Sequence, residues 1–333
     1  MASVSNGSVL KEFWLSDIQE IIPLSNKFME SLVSDDGYIA QDIYQINIPQ
    51  GQYDSGTIIE GLTAGQLPLA ASVMTDQILN YNVGVVTFMP RIVSNALIAD
   101  ALISYDKRAH VLKAQSIRLL NRCGNKVLNG IAQSLVSHNT SNIFYTTGSA
   151  VTAAAPGTTG TRLATLVTDF LKVIQAAKYD GFDAKELVAI CPPQMASDLL
   201  TSTVLYLNGN NSLFTPSTNA ERASTGVLGQ IYGVTIMERG QVLMMSGTTV
   251  FTGDTSAGVG GPSGATYTAG ANETMLIVNT GGARKAMGNF DLFVSENRAE
   301  YLGTLINMSA YVGSSITRSD GKGVYILQQG FNT

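Results

Sequence analysis

Charged side chains are scarce in this sequence. Of its 333 residues, 14% are Asp, Glu, Lys or Arg, against about 25% in an ordinary globular protein. Two explanations fit the deficit: partners cover much of the surface, or the surface is neutral and rich in Ser, Thr, Asn and Gln. Composition alone leaves both open. The apolar fraction of 45% supports a substantial core, and the length suits one large or two medium domains.

Cysteine and histidine are rarer still, with two of each: Cys123, Cys191, His110 and His138. Both cysteines lie in apolar patterns, which predicts buried thiols in a reducing compartment rather than disulfides. Neither histidine has a His or Cys partner at metal-ligand spacing. The glycine-rich stretch 257–264 lacks the Lys-Ser/Thr of a phosphate-binding loop, and no nucleophile elbow occurs. The sequence therefore predicts no enzyme, no metal site and no cofactor.

Basic clusters are also missing. The net charge is −5, and proteins that grip nucleic acid through phosphates usually carry a dense Lys/Arg patch. Any contact with nucleic acid is expected to be loose and independent of base sequence. The N-terminus has no basic region followed by an apolar stretch, and no run of about 18 apolar residues occurs. We therefore expect neither a secretion signal nor a membrane span.

The N-terminal 90 residues contain a helical pattern and then strand patterns. Residues 8–33 favour a helix broken at Pro23, compatible with an arm that docks on a neighbour and equally with an ordinary helix pair. Strand patterns follow at 38–50, 67–74 and 83–89 around a polar, glycine-rich turn. This hairpin has too few apolar residues to pack two faces, so we expect it to need another surface.

The longest helical pattern covers residues 94–136. About 40 residues would span roughly 60 Å, which suggests an extended molecule. Gly124 and Gly130 are points where this helix can bend.

An α/β arrangement follows. The pattern predicts a helix at 161–178, a buried strand at 187–191 and a short helix at 194–201. Further strands are predicted within 226–239, at 274–279 and 290–295, and at the closing residues 324–327.

The order of these motifs resembles the major capsid proteins of tailed double-stranded-DNA bacteriophages with the Hong Kong 97-type fold. The resemblance rests on residues 93–100 (VSNALIAD) with 105–108 (YDKR), on 186–193 (ELVAICPP), on 226–236 (GVLGQIYGVTI) and on 298–313. Each motif is short, and their order and spacing carry the likeness over most of 38–327.

The resemblance implies an α+β fold of five parts. They are an N-terminal arm (1–37), an extended β-hairpin loop with the first peripheral-domain strands (38–90), the spine helix and peripheral domain (91–160), an axial α/β domain (161–275) and a return to the peripheral domain (276–333). It implies a non-enzymatic coat protein that assembles into pentamers and hexamers of an icosahedral head enclosing DNA. An encapsulin-type compartment shell is the alternative, because it shares the fold.

The implied partners are copies of this chain, a separate scaffolding protein, a portal and a cement protein, with assembly in the host bacterial cytoplasm and a final place in the virion. Tyr53, Asp54, Ile58 and Ile59 of the hairpin loop are expected to touch neighbouring subunits. Arg108 is expected to hold a carboxylate or carbonyl across an interface, or else to lie on a solvated helix face. Residues 38–90 contain no lysine, so an isopeptide cross-link from this loop is not expected.

Overall fold

The structure is a computed structural model of the chain. Predictions on other residues, including the helical pattern at 8–25 and the strand pattern at 67–74, lie outside the part of the chain that it describes. It describes residues 26–39, 45–50, 77–87, 89–94, 107–152, 161–201, 214–216, 227–240, 242–250, 272–298, 300 and 303–330.

Within these ranges the helical elements are four α-helices and three short 3₁₀ turns. The α-helices are α1 (Asp36–Ile39), α2 (Lys107–His138), α3 (Val167–Tyr179) and α4 (Pro193–Thr201). The 3₁₀ turns are Lys27–Ser31, Thr140–Asn142 and Ala184–Glu186.

The first nine described strands are short. They are β1 (Val33–Ser34), β2 (Gln45–Gln50), β3 (Gln77–Asn82), β4 (Gly84–Thr87), β5 (Arg91–Ser94), β6 (Ile143–Tyr145), β7 (Ala150–Thr152), β8 (Thr161–Leu163) and β9 (Leu187–Cys191), counted over the described residues. The later strands include the two longest. They are β10 (Phe214–Pro216), β11 (Val227–Ile231), β12 (Val234–Glu238), β13 (Leu243–Ser246), β14 (Thr249–Val250), β15 (Asn272–Asn279), β16 (Ala283–Arg298), β17 (Gly303–Ile316) and β18 (Val324–Gln328).

Nine of the described strands form one mixed sheet, in the order β10-β11-β12-β9-β15-β13-β14, with β18 paired to β15 and β6 paired to β18. Its middle strands β9, β15 and β18 are buried at every residue. Continuous apolar runs such as Leu187–Cys191 suit strands covered on both faces. The last described strand, β18, pairs with β15 in this sheet.

A second described sheet contains five strands in the order β1-β16-β17-β4, with β5 also on β17. Its framework is the long antiparallel pair of β16 and β17, interrupted by register shifts at Met287/Phe290 and Ser295/Arg298. Strands β4 and β5 pair in line along the other side of β17. β17 is therefore central, whereas most of β16 lies at the sheet edge.

Helix α2 packs its apolar stripe on the five-stranded sheet. Leu119, Cys123, Val127, Ile131 and Leu135 recur every four residues and are fully buried, as one face of an amphipathic helix requires. This cluster continues into β17 through Met308, Ala310 and Val312. A separate apolar cluster, which includes Phe170 and Ile174, joins α3 and α4 to the nine-stranded sheet.

The two glycines predicted as bending points lie inside a continuous helix, at close approaches. A Cβ at Gly130 would come 2.3 Å from Ser314 Oγ, and one at Gly124 would come 2.2 Å from Asn26 Oδ1. Ser314 Oγ also donates a hydrogen bond to Val127 O at 2.8 Å. These glycines let β17 and the Asn26 segment lie directly on the helix backbone.

Several predicted elements are confirmed, namely the strands at 187–191 and 324–327 and the strand–turn–strand at 226–239. Ser94, predicted to begin the long helix, lies in β5 instead; the helix is described from Lys107, and residues 95–106 lie outside the described part. The strand predicted from 38 begins at Gln45, after α1. The helix predicted from 161 begins at Val167, because 161–163 pairs with 150–152 as a strand.

Candidate assembly surface

The base of the predicted hairpin consists of β2 and β3, which pair antiparallel from Gln45 opposite Asn82 to Gln50 opposite Gln77. Ile46, Ile48, Leu79 and Tyr81 point to one side and join the apolar cluster of the five-stranded sheet. The hairpin was expected to need another surface, and for this base that surface is the subunit's own sheet. Apolar and polar residues alternate along β2 and β3, so one face of the pair is apolar and can cover the subunit's own core.

A hydrogen bond and an ion pair, both to Asp35, connect this base to the sheet. Tyr81 Oη donates a hydrogen bond to Asp35 Oδ2 at 2.7 Å, and Arg284 Nη2 lies 3.0 Å from Asp35 Oδ1. Burial and the hydrogen bond to Asp35 raise the pKa of Tyr81 well above its usual value, so the phenol stays protonated and donating. Beside them, Lys285 Nζ pairs with Asp36 Oδ2 at 3.0 Å.

The four loop residues expected to touch neighbours, Tyr53, Asp54, Ile58 and Ile59, lie outside the described residues. Arg108 lies in the first turn of α2, but its side chain is not among those described. The structure therefore brings none of these five together, and they stay predictions.

Exposed apolar side chains gather instead at the outer part of the five-stranded sheet. We call this part the outer sheet and define it as β5, residues 290–298 of β16 and residues 303–310 of β17. Four side chains of β16 are 40–58% exposed, and Ile92 on β5 is 48% exposed. The four on β16 are Phe290, Leu292, Phe293 and Val294.

Both faces of the outer sheet carry these side chains. Directly opposed residues of an antiparallel pair share a face, so Leu292 and Val294 lie with Met308 and Ile306. Phe293 points to the other face, opposite Asn307. Met308 and Ile306 are buried although their neighbours on β16 are half exposed. Within the described outer sheet, the exposed apolar side chains lie on the flanking strands β16 and β5, and they would be stabilised by a partner.

Residues 290–294 of β16 lie at the edge of the sheet that the structure describes. On the side away from β17, the described residues provide only β1 as a neighbouring strand, and β1 pairs with Arg284 and Lys285 alone. An edge strand with exposed apolar side chains can pair with another strand. Sequence reasoning predicted this strand but not its exposure; its only signal was the apolar run 290–294, which buried strands share.

A buried arginine joins three segments of the chain. Arg239, which follows β12, is 2% exposed and donates from Nη1 to Asn125 Oδ1 at 2.6 Å. Its Nη2 donates to Asn26 Oδ1 at 3.1 Å and to Asn121 O at 3.3 Å, and its guanidinium lies 5.6 Å from the Phe28 ring centre. Burial lowers the pKa of Arg239 to about 9, so it remains charged at neutral pH.

A second group of buried polar side chains joins β8, α4 and β15. Arg162 forms a two-pronged ion pair with Asp198, which also accepts a hydrogen bond from Thr165 N at 3.0 Å. Burial, partly offset by Arg162, raises the pKa of the nearby Glu273 to about 7. Over the described ranges, no set of three or more His, Cys, Asp or Glu is placed to hold a metal ion. Nor is any described helix long and apolar enough to cross a membrane.

The chain was compared with known proteins. No protein-family model and no curated protein matches it. Solved structures match over almost its whole length, although at low identity. The capsid chain of cyanophage Pam1 is 12% identical with a TM-score of 0.61, covering 98% of this chain and 98% of that chain. The capsid chain of Ralstonia phage GP4 is 12% identical with a TM-score of 0.54, covering 100% and 99%.

A chain from the head of Helicobacter pylori bacteriophage KHP40 is 11% identical with a TM-score of 0.58, covering 98% of this chain and 96% of that chain. At such identities the likeness concerns the fold. This chain therefore has the mixed α/β fold of phage capsid proteins.

Proposed function

We propose that this protein is the major capsid protein of a tailed bacteriophage with the Hong Kong 97-type fold. It assembles into pentamers and hexamers of an icosahedral head that encloses double-stranded DNA, and it has no catalytic role. The observation that carries the proposal is an outer sheet with apolar side chains exposed on both faces, in a chain with the fold of phage capsid proteins. Such a surface is stabilised when copies of the chain cover it.

The domain division proposed from the resemblance fits around the two large sheets. The proposed peripheral part comprises the five-stranded sheet and α2. Before the last segment of the chain, its proposed pieces are the arm (1–37), the hairpin segment (38–90) and the spine helix with the peripheral domain (91–160). The axial domain (161–275) corresponds to the nine-stranded sheet. The final segment (276–333) supplies β16 and β17 to the peripheral part, and its last strand β18 adds to the axial sheet.

Intersubunit contacts are proposed at two further places, the hairpin loop residues Tyr53, Asp54, Ile58 and Ile59, and Arg108 in α2. An arginine suits forked hydrogen bonds that lysine replaces poorly. Particle yields of Arg108→Lys and Arg108→Ala test the second place. Reduced yield from both is expected, and normal yield from both would remove Arg108 from the interface.

The proposed partners are a separate scaffolding protein, a portal and a cement protein. The packaged DNA lies nearby without base-specific contacts, consistent with the acidic net charge. Assembly takes place in the cytoplasm of the bacterial host, and the mature protein is part of the virion. No observation favours the encapsulin-type alternative.

Electron microscopy of the purified chain tests the proposal. Negatively stained samples should contain shells or capsomer rings, and sedimentation should show large particles. Phe293→Lys should reduce particle yield strongly, because Phe293 lies on the outer sheet. Tyr179→Lys is the matched control, since Tyr179 on α3 is 92% exposed and far from that sheet in the chain. A stable monomer at every concentration and salt would contradict the proposal.

A further inference from the structure

Four buried side-chain atoms beside the nine-stranded sheet make no hydrogen bond within the described part of the chain. Their residues are 1–7% exposed. Nearly all buried polar atoms in native proteins are paired, either with protein groups or with ordered water, because an unpaired one costs free energy. The four atoms are Arg162 Nε, Thr165 Oγ1, Glu273 Oε2 and Gln329 Nε2.

Two of these residues meet at one carboxylate. Arg162 pairs with Asp198 through Nη1 and Nη2, and the backbone N–H of Thr165 donates to Asp198 Oδ2 at 3.0 Å. The unpaired Nε and Oγ1 therefore belong to the two residues that enclose the Asp198 carboxylate. They lie three positions apart in the chain, at and just after β8.

The other two residues face each other across neighbouring strands. Thr274 of β15 pairs with Gln328 of β18, so Glu273 lies opposite Gln329, and Gln329 N donates to Glu273 O at 3.2 Å. Opposed residues of an antiparallel pair share a face. The Glu273 carboxyl group and the Gln329 amide are therefore neighbours on one face of the sheet.

The two halves of this group adjoin each other. Leu163 N donates to Gly330 O at 3.0 Å, which joins the segment of Arg162 and Thr165 to the segment of Gln329. Besides burial, the charges of Arg162 and Asp198 act on the pKa of Glu273, so the ion pair lies near the Glu273 carboxyl group. The four unpaired atoms therefore converge on one buried region.

Their hydrogen-bonding roles match a single water molecule. Arg162 Nε and Gln329 Nε2 are donors, whereas the ionised Glu273 Oε2 is an acceptor and Thr165 Oγ1 can accept. Water accepts two hydrogen bonds and donates two, and buried waters typically make about three. A cation would be repelled by Arg162, and an anion by Glu273 and Asp198. The charges therefore favour a neutral occupant.

We propose that Arg162, Thr165, Glu273 and Gln329 bind a buried water molecule. It links β8, β15 and the residues that follow β18, three segments that are distant in the chain. All four residues belong to one subunit, so the site does not depend on assembly. The water holds Gln329 to the sheet through its side chain, in addition to the backbone hydrogen bond.

A density map of the full-length protein, at a resolution that shows ordered waters, tests the site directly. One peak should lie about 2.7–3.2 Å from at least three of the four atoms. Thr165→Val, which removes the hydroxyl at nearly constant volume, should weaken or abolish the peak. Thr165→Ser is the matched control, because it keeps the hydroxyl and should keep the peak.

Three results of the map would overturn the proposal. The first is no peak at the site while the side chains keep their places. The second is direct hydrogen bonds among the four side chains. The third is a peak with several oxygen ligands at roughly 2.0–2.6 Å, which identifies a bound Mg²⁺ or Ca²⁺ ion instead.

A double-mutant cycle measures whether Thr165 and Gln329 share the water, since no direct hydrogen bond joins these two side chains. Thr165→Val and Gln329→Met should each lower the folding equilibrium constant of the dissociated full-length subunit about tenfold. In the double variant the loss should fall well short of the product of the two, because both substitutions disturb the same water.

The control cycle combines Thr165→Val with Tyr81→Phe. Tyr81 donates its hydrogen bond to Asp35 and belongs to the other apolar cluster, so these two losses should multiply. A loss in Thr165→Val with Gln329→Met that also equals the product would overturn the shared water. A loss that falls short of the product only for the Thr165 and Gln329 pair supports it.

Discussion

The nine-stranded sheet and the outer sheet use similar residues in opposite ways. Leu187–Cys191 in the first and 290–294 in the second are both five-residue runs dominated by apolar side chains. Every residue of Leu187–Cys191 is buried, whereas the apolar residues of 290–294 are 40–58% exposed. The first run has strands on both sides and helices against it, and the second lies at an edge. One region completes its core within the subunit, and the other keeps its apolar side chains exposed.

Matched leucine substitutions give the largest expected contrast between the two regions. Leu276 on β15 is fully buried between Ile190 and Ile326, so Leu276→Ala should lower the free energy of unfolding by about 2–5 kcal/mol. Leu292→Ala on the open edge should change it by no more than about 0.5 kcal/mol, while reducing particle yield. Chemical denaturation of dissociated subunits measures the first effect, and sedimentation measures the second. Equal stability losses would contradict the contrast.

The buried acid of the nine-stranded sheet should make this region sensitive to pH. Burial raises the pKa of Glu273 to about 7 from an ordinary value of 4.5. The folded subunit therefore binds the proton more tightly than the unfolded chain. The resulting stability is fully present below pH 4.5 and is lost as the pH rises through 7. At 1.36 kcal/mol per pKa unit, the loss is roughly 2–3 kcal/mol between pH 5 and 8.

Glu273→Gln should flatten this dependence, and denaturation at several pH values measures it. The lowered pKa values of Asp36 and Asp320, where hydrogen bonds to the carboxylates outweigh burial, act at more acidic pH. The window from pH 5 to 8 therefore isolates Glu273. An unchanged slope in Glu273→Gln would show that this carboxyl titrates normally.

Removing the buried hydrogen bond of the hairpin base should lower the free energy of unfolding by less than the changes above. Tyr81→Phe removes the bond to Asp35 Oδ2 and keeps the ring packed, so we expect a loss of about 1 kcal/mol. Hydrogen exchange should become faster in Gln45–Gln50 and Gln77–Asn82, because the bond fastens their pair to the sheet. Tyr145→Phe serves as the control, since Tyr145 is 49% exposed on β6 and should change stability little. The same exchange rates in both variants would count against the fastening role.

The last prediction is that no covalent links form between subunits. Residues 38–90 contain no lysine, and both cysteines are buried. Burial raises the pKa of Cys123 to about 11, which leaves little reactive thiolate. Mature particles boiled in denaturant and run with reductant should give one band near 35.3 kDa. A ladder of multiples that survives reduction would show that another lysine forms a cross-link.

Particular elements show which parts of the fold could be predicted from the sequence. The apolar run 187–191 and the closing run 324–327 were predicted as strands and are strands, because both runs are continuous, apolar and short. Ser94 was predicted to cap the long helix and lies in β5 instead, because a serine before an apolar pattern can also end a strand, and only pairing with β17 distinguishes the two. The strand at 161–163 was missed because its partner, Ala150–Thr152, lies across a low-complexity segment that gives no pairing signal.

The candidate surface also has a part that was predicted from the sequence and a part that was not. Sequence reasoning chose Arg108 and four residues of the hairpin loop, which stay predictions. It did not find the outer sheet or the junction at Arg239. That junction depends on contacts of Arg239 with Asn26 and with Asn121 and Asn125 of α2, all of which lie far from Arg239 in the chain. No local pattern encodes such a convergence.

By itself the sequence determined the strand and helix periods and the scarcity of charge, histidine and cysteine, because these are properties of neighbouring residues and of composition. Only the tertiary structure decided which apolar strand is central and which is an edge. A run such as 290–294 has the same local preferences in either place, and its exposure depends on whether another strand, far away in the chain or on another subunit, pairs beside it.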